Sequence, residues 1–385
     1  MNMNKLFFAI SHIKDVLKDA RIGIAKGILN NYSFLNIYEQ QYKSLLSLNG
    51  FDDKPAPGEL EFQCKWGGVN NIEPYSYRFF LNYVTNPGII ISEGIAHLKI
   101  ESSLNSKRHN DFYSDKNSYD LFLQDVKRPK TLLRRNGDDL LMNDKYEVVA
   151  NCNDSSLDFK AIFNGCPTII IKPSVDSCSG IGVEKFVLRD SEYKTQDGTI
   201  LTVEYLKTNY SHFIIQSGVI QSDKISRFCH SAVNTLRLCL YRSVVNGNWK
   251  VTASVIRLGK EGKVVDNAHS GGGMVKIDLT TGKLGNKVMF SNGQSVSTWN
   301  GIDYSSSEFF IPNWDAVKTL ALSVAQKYYG FHLIALDICL DANNEPVLIE
   351  ANINQFSFWI PLYFDFDVFD GELGVLLKKC GIQTS

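Results

Sequence analysis

The chain lacks an excess of charge of either sign. Lys and Arg number 40 against 41 Asp and Glu, a net charge of −1 with His neutral. That leaves no overall basic field for nucleic acid, which is excluded as an expected partner. It also lacks long apolar runs. The N-terminal stretch MNMNKLFFAISHIKDVLKDA is uninterruptedly apolar only from Leu6 to Ile10 before it meets charge, too short for a secretory leader, and no membrane span is expected anywhere. The eight cysteines, scattered from Cys64 to Cys380, contain no CxxC pair. Without a leader or a disulfide framework, reduced thiols and a cytoplasmic location are expected. Internal repeats and low-complexity blocks are absent as well, which excludes solenoids and arrays.

What is present is a chain of 385 residues, long enough for two or three domains. The first ~50 residues are rich in helix formers, with Ile13, Val16, Leu17 and Ala20 at helical spacing. Pro, Gly and a shift in composition mark Asp52 to Gly68 as a linker. GIIISEG and AHLKIES then read as short strands. A helix is expected to start at Ser114 or Asp115, with Tyr119, Phe122, Leu123 and Val126 on its apolar face. Thr168 to Ile171 reads as a strand ending in Lys172-Pro173; further strands are expected at VEKFVL, Phe213–Ile220, Thr235–Arg242, Lys250–Arg257 and Met274–Ile277. A second helix, capped by Asn313 and ended by Gly330, carries Trp314, Val317, Leu320, Val324 and Tyr328 on one stripe. The pattern is α+β, with meanders and interspersed helices.

The chemistry concentrates in the last strand pair, LIALDICLDANNEPVLIEANINQ, from Leu333 to Gln355. Side chains alternate along a strand, so Glu350 and Asn352 share a face. If Leu340 pairs with Val347, Asp337 lies opposite Glu350, and three oxygen-bearing side chains meet. Such hard donors suit Mg²⁺; the bland alternative is a polar sheet edge. A slip of one residue would turn Asp337 to the other face.

Upstream, IIIKPSVDSCSGIGV holds Lys172 followed by Ser174, Ser177, Ser179, Gly180 and Gly182. A loop of this kind lets N–H groups approach phosphate while the lysine neutralises charge. It is not a Walker A loop, and it leads into a strand rather than a helix, unlike a Rossmann turn. The expectation is a hairpin flap; an ordinary flexible hairpin is the alternative. In FIIQSGVIQ, backbone groups around Ser217 can meet an adenine edge, and Gln216 or Gln221 a ribose, unless the two amides are simply exposed. Asn234 and Arg237 follow, then Arg257, Asp266, Asn267, His269 and Gly271 to Gly273, a second candidate anion pocket. His269 is either a base or a solvated loop residue.

Together these segments resemble the ATP-grasp superfamily and, within it, are similar to the sugar-transfer associated ATP-grasp family. The motifs carrying the resemblance are DKN at Lys116, KPS at Lys172, QSGVIQ, SAVNTLRL, VIRLGKEGKVVDNAHSGGGMVKID, IPNW at Ile311 to Trp314, and LDICLDANNEPVLIEAN, spanning about residues 110 to 360. The resemblance implies an ATP-grasp fold: two α+β subdomains with antiparallel sheets clasping ATP, over 106–212 and 213–385, after an N-terminal helical and mixed region, 1–105, that helps select substrate.

It also implies roles. Lys116 and Lys172 hold the ATP phosphates, and the loop from Ser177 through Ser179 and Gly180 to Gly182 closes over them. Gln216, Ser217 and Val219 take adenine and ribose. Asp337, Glu350 and Asn352 hold one or two Mg²⁺, while Arg257, Asn267 and Arg237 contact the γ-phosphate, the phosphorylated intermediate or a carboxylate. Gln216 stands where many relatives are acidic, and EAN where EIN or EGN is usual. The implied activity is a carboxylate–amine ligase acting through an acyl phosphate in surface polysaccharide or glycoconjugate assembly, its partners a carboxylate, small or sugar-linked, and an amine acceptor. The alternatives are a kinase for a sugar or polyol hydroxyl, with His269 or Asp266 as base, and a nucleotide-binding scaffold without turnover. Asp337→Asn and Glu350→Gln are both expected to abolish metal-dependent nucleotide hydrolysis while leaving the fold intact.

Overall fold

β-Branched and aromatic runs pair into two antiparallel sheets of seven strands each in the computed structural model, which describes residues 35–67, 72–175, 181–262, 271–306 and 308–382. The first sheet contains β1 (Thr131–Asn136), β2 (Leu140–Met142), β3 (Val148–Asn151), β4 (Thr168–Pro173), β5 (Glu184–Arg189), β6 (Glu192–Lys194) and β7 (His212–Ser217), ordered β3-β2-β1-β7-β4-β5-β6. The second contains β8 (Leu236–Arg242), β9 (Trp249–Leu258), β10 (Gly273–Lys276), β11 (Val288–Met289), β12 (Ser295–Val296), β15 (Leu333–Leu340) and β16 (Pro346–Asn352), ordered β12-β11-β10-β9-β8-β15-β16. A small hairpin, β13 (Thr298–Trp299) with β14 (Ile302–Asp303), stands apart. The division expected at 212/213 falls at the start of β7, which pairs with β1 and β4 and so belongs to the first sheet.

Alternation decides what each sheet face does. In the second sheet, Leu236, Leu238, Leu240, Ile256, Ile334, Leu336, Ile338 and Leu340 are buried on one face. Val317, Ala321 and Val324 of the helix Trp314–Gln326 belong to the same apolar cluster. The first sheet builds its own core from Leu133, Ile169, Ile171, Phe186, Phe213 and Ile215 with Phe159, Phe163 and Leu206. Each buried aliphatic or aromatic side chain contributes about 1.5–3 kcal/mol, so one face of each sheet anchors the fold. The other face of the second sheet is left for polar side chains.

Local expectations fare unevenly. Asn313 does not cap its helix with its side chain; its backbone is left-handed (φ 53°), and its amide donates to Asn344 O at 3.4 Å. Asp115 does cap, accepting from Asn117 N at 2.9 Å, but the α-helix it leads into is a single turn, Tyr119–Phe122, after the 3₁₀ turn Lys116–Ser118. AHLKIES is helical rather than a strand: Ala96–Glu101 is a π-helix, with Ala96, Ile100 and Leu104 buried at fourfold spacing, a helical period. GIIISEG forms a 3₁₀ turn, Pro87–Ile89, and Ile90 is extended without strand pairing. Nor is Asp52 to Gly68 a plain linker, because Glu59–Trp66 folds as a helix burying Phe62 and Trp66. Ile13, Val16, Leu17 and Ala20 lie outside the described residues.

Residues 1–100 with 377–385 form one compact unit and 101–376 another. In the described part of the first, Tyr42 packs on Phe79 and Phe80, and Arg78 makes a two-pronged ion pair with Glu59 (2.7 and 2.8 Å). Glu73 carries a testable consequence. One carboxylate oxygen accepts from Ser76 N at 2.9 Å, while Oε1 is enclosed with no hydrogen-bond partner among the described residues. Burial pushes its pKa up to about 7. The folded form therefore binds a proton that the unfolded chain releases at lower pH, so this contribution to stability is full below about 4.5 and is lost as pH rises through about 7. Glu73→Gln is expected to raise the melting temperature at pH 8 and to flatten its dependence between pH 5 and 8; an unchanged pH profile would count against it.

Candidate active site

The polar face of the second sheet gathers a cluster that strand alternation and one β-bulge explain. Register pairs Asp337 with Glu350 on one side and with Arg237 on the other, and Arg237 with Val255, two residues from Arg257. Arg257, Arg237, Asp337, Glu350 and Asn352 therefore share one face. The expected pairing of Leu340 with Val347 does not occur: Leu340 meets Pro346, and Cys339 meets Val347. A β-bulge between Asp337 and Ile338 takes up the extra residue and brings Asp337 opposite Glu350. The hairpin turn holds its own register through Asp341, whose Oδ1 accepts from Asn343 N and Glu345 N at 2.9 Å each, with Asn344 left-handed (φ 61°).

Asp337 is the hub. Its Oδ1 accepts from Arg237 Nε (2.6 Å), and its Oδ2 from Arg237 Nη2 (2.9 Å), Arg257 Nη1 (3.2 Å) and Asn352 Nδ2 (3.2 Å). Burial would raise the carboxyl's pKa, but the two guanidiniums and these hydrogen bonds hold it below the usual range. Burial likewise works against the charge on Arg237, and Asp337 more than offsets it, so that pKa is raised. Beside them the buried Cys239 thiol is pushed up to about 12 by burial, which keeps it unreactive.

Two lysines from outside the second sheet meet this face. Lys116 opens the 3₁₀ turn after Asp115 and ion-pairs with Glu350 Oε1 at 2.9 Å; its N–H donates to Ser174 O at 3.0 Å. Lys172, on β4, donates to Ile349 O at 3.4 Å. Burial, with the like charges of Lys116 and Arg128, brings its pKa down to about 8 against the opposing pull of Glu350 and Asp337.

The expected flap is a hairpin, since β4 and β5 pair antiparallel. Gly182 closes it with φ 74°, where a Cβ would lie 2.8 Å from Pro173 Cγ, and Tyr210 Oη donates to Gly182 O at 2.9 Å. Ser177, Ser179, Gly180, Asn267, Asp266 and His269 lie outside the described residues. Gln216 is a buried β7 residue whose Nε2 reaches Pro129 O at 3.4 Å. The Ser217 and Gly218 N–H groups are engaged by Lys130 O (2.9 Å) and Thr168 O (2.8 Å), and Val219 follows the strand. Gln221 and Asn234 hold one another instead of facing outward: Gln221 Nε2 donates to Asn234 O at 2.7 Å. The sequence places Tyr119 only on a helix's apolar face, yet its hydroxyl accepts from Ala351 N at 3.2 Å; Asp120 with its partners Arg128 and Arg134 was not singled out at all.

A comparison with protein families matches residues 100–362 to the family described as sugar-transfer associated ATP-grasp. The chain belongs to that family. The ATP-grasp fold is thus shown, with its α+β architecture and antiparallel sheets. No curated protein matches the chain. Solved structures that resemble it include the ATP-grasp ligase PsnB complexed with a minimal precursor (14% identity, TM-score 0.38, covering 72% of this chain and 63% of that one). Others are D-alanyl-alanine synthetase A from Vibrio cholerae (14%, 0.39, 70% and 64%) and D-alanine–D-alanine ligase from Bacillus anthracis (11%, 0.37, 72% and 72%). The chain thus spans under two thirds of the first two in length. Among the described residues, no helix is long and apolar enough to cross a membrane, and no three His, Cys, Asp or Glu side chains converge to hold a metal.

The donors that do converge on this ATP-grasp sheet fit a hard cation nonetheless. Asp337 Oδ2 already accepts three hydrogen bonds, but Oδ1 accepts one. Glu350 is part-exposed and uses Oε1 for Lys116. Asn352 turns its amide nitrogen to Asp337 and Ala335 O, which leaves its oxygen as a neutral donor.

Proposed function

We propose that the protein is a Mg²⁺- and ATP-dependent ligase that activates a carboxylate as an acyl phosphate and joins it to an amine, acting in polysaccharide or glycoconjugate assembly. The observation that carries the reading is the convergence of two lysines, two arginines and two carboxylates, with Asn352, around one sheet face. Family membership supports ATP as the phosphoryl donor and supports the sugar-related setting. Membership in a fold family does not by itself fix the reaction, so the reading leans on the charges.

Glu350, Asp337 Oδ1 and the Asn352 oxygen would hold the Mg²⁺, which when bound neutralises phosphate charge as a Lewis acid. Lys116 and Lys172 bind phosphate oxygens as point charges. A carboxylate oxygen of the acceptor attacks the γ-phosphorus, the bond to the β-bridging oxygen breaks, and ADP leaves. Arg237 and Arg257 suit the oxygens of that carboxylate and the transferring group, since a guanidinium matches planar oxyanions in pairs. The amine nitrogen then attacks the acyl carbon, loses its proton, and inorganic phosphate departs. Positioning and charge neutralisation supply the rate, with effective molarity worth roughly 7–11 kcal/mol. The flap hairpin excludes water from a labile acyl phosphate.

Hydroxylamine trapping tests the reaction class. Incubation with ATP, MgCl₂, a panel of carboxylates and hydroxylamine is expected to yield a hydroxamate together with ADP. ADP with a stable phosphorylated sugar or polyol, and never a hydroxamate or amide, would replace the ligase with a kinase.

A further inference from the structure

Between the turn Tyr119–Phe122 and β1 runs a charged stretch around Pro129, from Asp125 to Lys130. It looks like a solvated linker, yet its backbone is tied to both sheets. Leu348 N, on β16 two residues before Glu350, donates to Lys127 O at 2.9 Å. At the other end, Ser217 N on β7 donates to Lys130 O at 2.9 Å, and Lys130 N donates to Ser217 Oγ at 3.1 Å. Arg128 is thus held between the strand that ends at the expected adenine hinge and the strand that carries Glu350.

Its side chain is 9% exposed. The guanidinium is fixed along one edge: Nε donates to Leu123 O at 3.3 Å, and Nη2 to Asp120 Oδ1 at 2.8 Å. Asp120 is itself gripped by Arg134, so the anchor is rigid. The remaining nitrogen, Nη1, is buried and has no hydrogen-bond partner among the described residues. Leaving a buried charged donor unmet is costly, and a native fold keeps such a group where something else meets it. Its positive charge also reaches Lys172, whose ammonium it helps to destabilise. Among the described residues, the carboxylates paired with these cations are Glu350, Asp337 and Asp120.

We propose that Arg128 is a third cationic contact to the nucleotide, its Nη1 donating to an anionic phosphate oxygen beside those met by Lys116 and Lys172. This rests on the reading of the cleft as an ATP site and adds a residue to it. A guanidinium held on one edge and unmet on the other is pre-organised for such an oxygen, unlike a lysine on a mobile stem.

The test is isothermal titration of ATP, ADP and adenosine, with MgCl₂, into the full chain and into Arg128→Gln and Arg128→Lys. Arg128→Gln is expected to weaken ATP and ADP by about tenfold to a hundredfold and to leave adenosine unchanged. Arg128→Lys recovers only part of the loss. Unchanged ATP affinity overturns the proposal; so does an equal loss for adenosine, which would make Arg128 a structural prop. Asp120 keeps Arg134 in either variant, so no carboxylate is orphaned. Should the glutamine variant fail to fold, the lysine variant decides by the same comparison. A wild-type chain that binds none of these nucleotides would instead remove the ATP reading itself.

Discussion

Asp337→Asn is expected to destabilise the protein by about 3–5 kcal/mol, the loss typical of removing one partner from a buried ion pair. The sequence suggests a substitution that spares the fold, because a metal ligand at a sheet surface is dispensable for folding. The structure gives the carboxylate a second duty. It is the anion facing Arg237, at 2.6 and 2.9 Å, and Arg257, at 3.2 Å, with all three side chains at most 12% exposed. Asparagine keeps the shape but not the charge, and takes from Arg237 and Arg257 the carboxylate they share in a low-dielectric site. A melting temperature lowered by roughly 10 °C, measured without nucleotide or metal, is the expected result.

Glu350→Gln separates the two duties. Glu350 is 29% exposed at its side chain, against 5% for Asp337, and pairs with Lys116, so its loss should cost less than that of Asp337. Both variants should lose Mg²⁺-dependent nucleotide hydrolysis, but only the first should melt early. An Asp337→Asn protein as stable as wild type would contradict the description of Asp337 as the hub.

Lys172→Ala is expected to weaken ATP binding by about tenfold to a hundredfold at pH 7, without lowering the stability of the nucleotide-free protein. The lysine is buried and its pKa is brought down to about 8 from 10.5, chiefly by burial. Its folded pKa lies below its unfolded one, so between these values the unfolded chain binds the extra proton. The penalty is full below about 8 and is relieved as pH rises toward 10.5. Stability from this group therefore increases across that window. ATP affinity moves the other way, because phosphate needs the ammonium form. Titration of ATP at pH 7 and pH 9 should show affinity falling in the wild type and nearly level in the variant. An equal fall in both would assign the pH dependence elsewhere.

The sheets were largely legible because buried β-branched runs such as Thr168–Ile171 and Leu333–Leu340 leave few alternatives. The polar face was legible in part. Alternation linked Glu350 to Asn352, but Asp337 reached them only through a bulge, and a bulge has no sequence signal in an apolar run. Arg237 and Arg257 were visible as cations suited to phosphate; their shared carboxylate was not, since strand order β9-β8-β15 is a long-range fact. Arg128 was hidden for the opposite reason: it stands in a charged run that solvent would ordinarily cover. Helical content was misread where periods of two and four coincide, as at Ala96, Ile100 and Leu104; at Asn313 the helix start was legible, but the side chain does not make the cap bond.

The central claim is that Lys116, Lys172, Asp337 and Glu350 together form one Mg·ATP site. A crystal structure of the protein with a non-hydrolysable ATP analogue and MgCl₂ tests it most directly. The account predicts triphosphate oxygens within hydrogen-bonding distance of both lysine ammonium groups and a metal ion bound to the Asp337 and Glu350 carboxylates. A nucleotide bound away from these lysines, or a metal ion held by other residues, would contradict it.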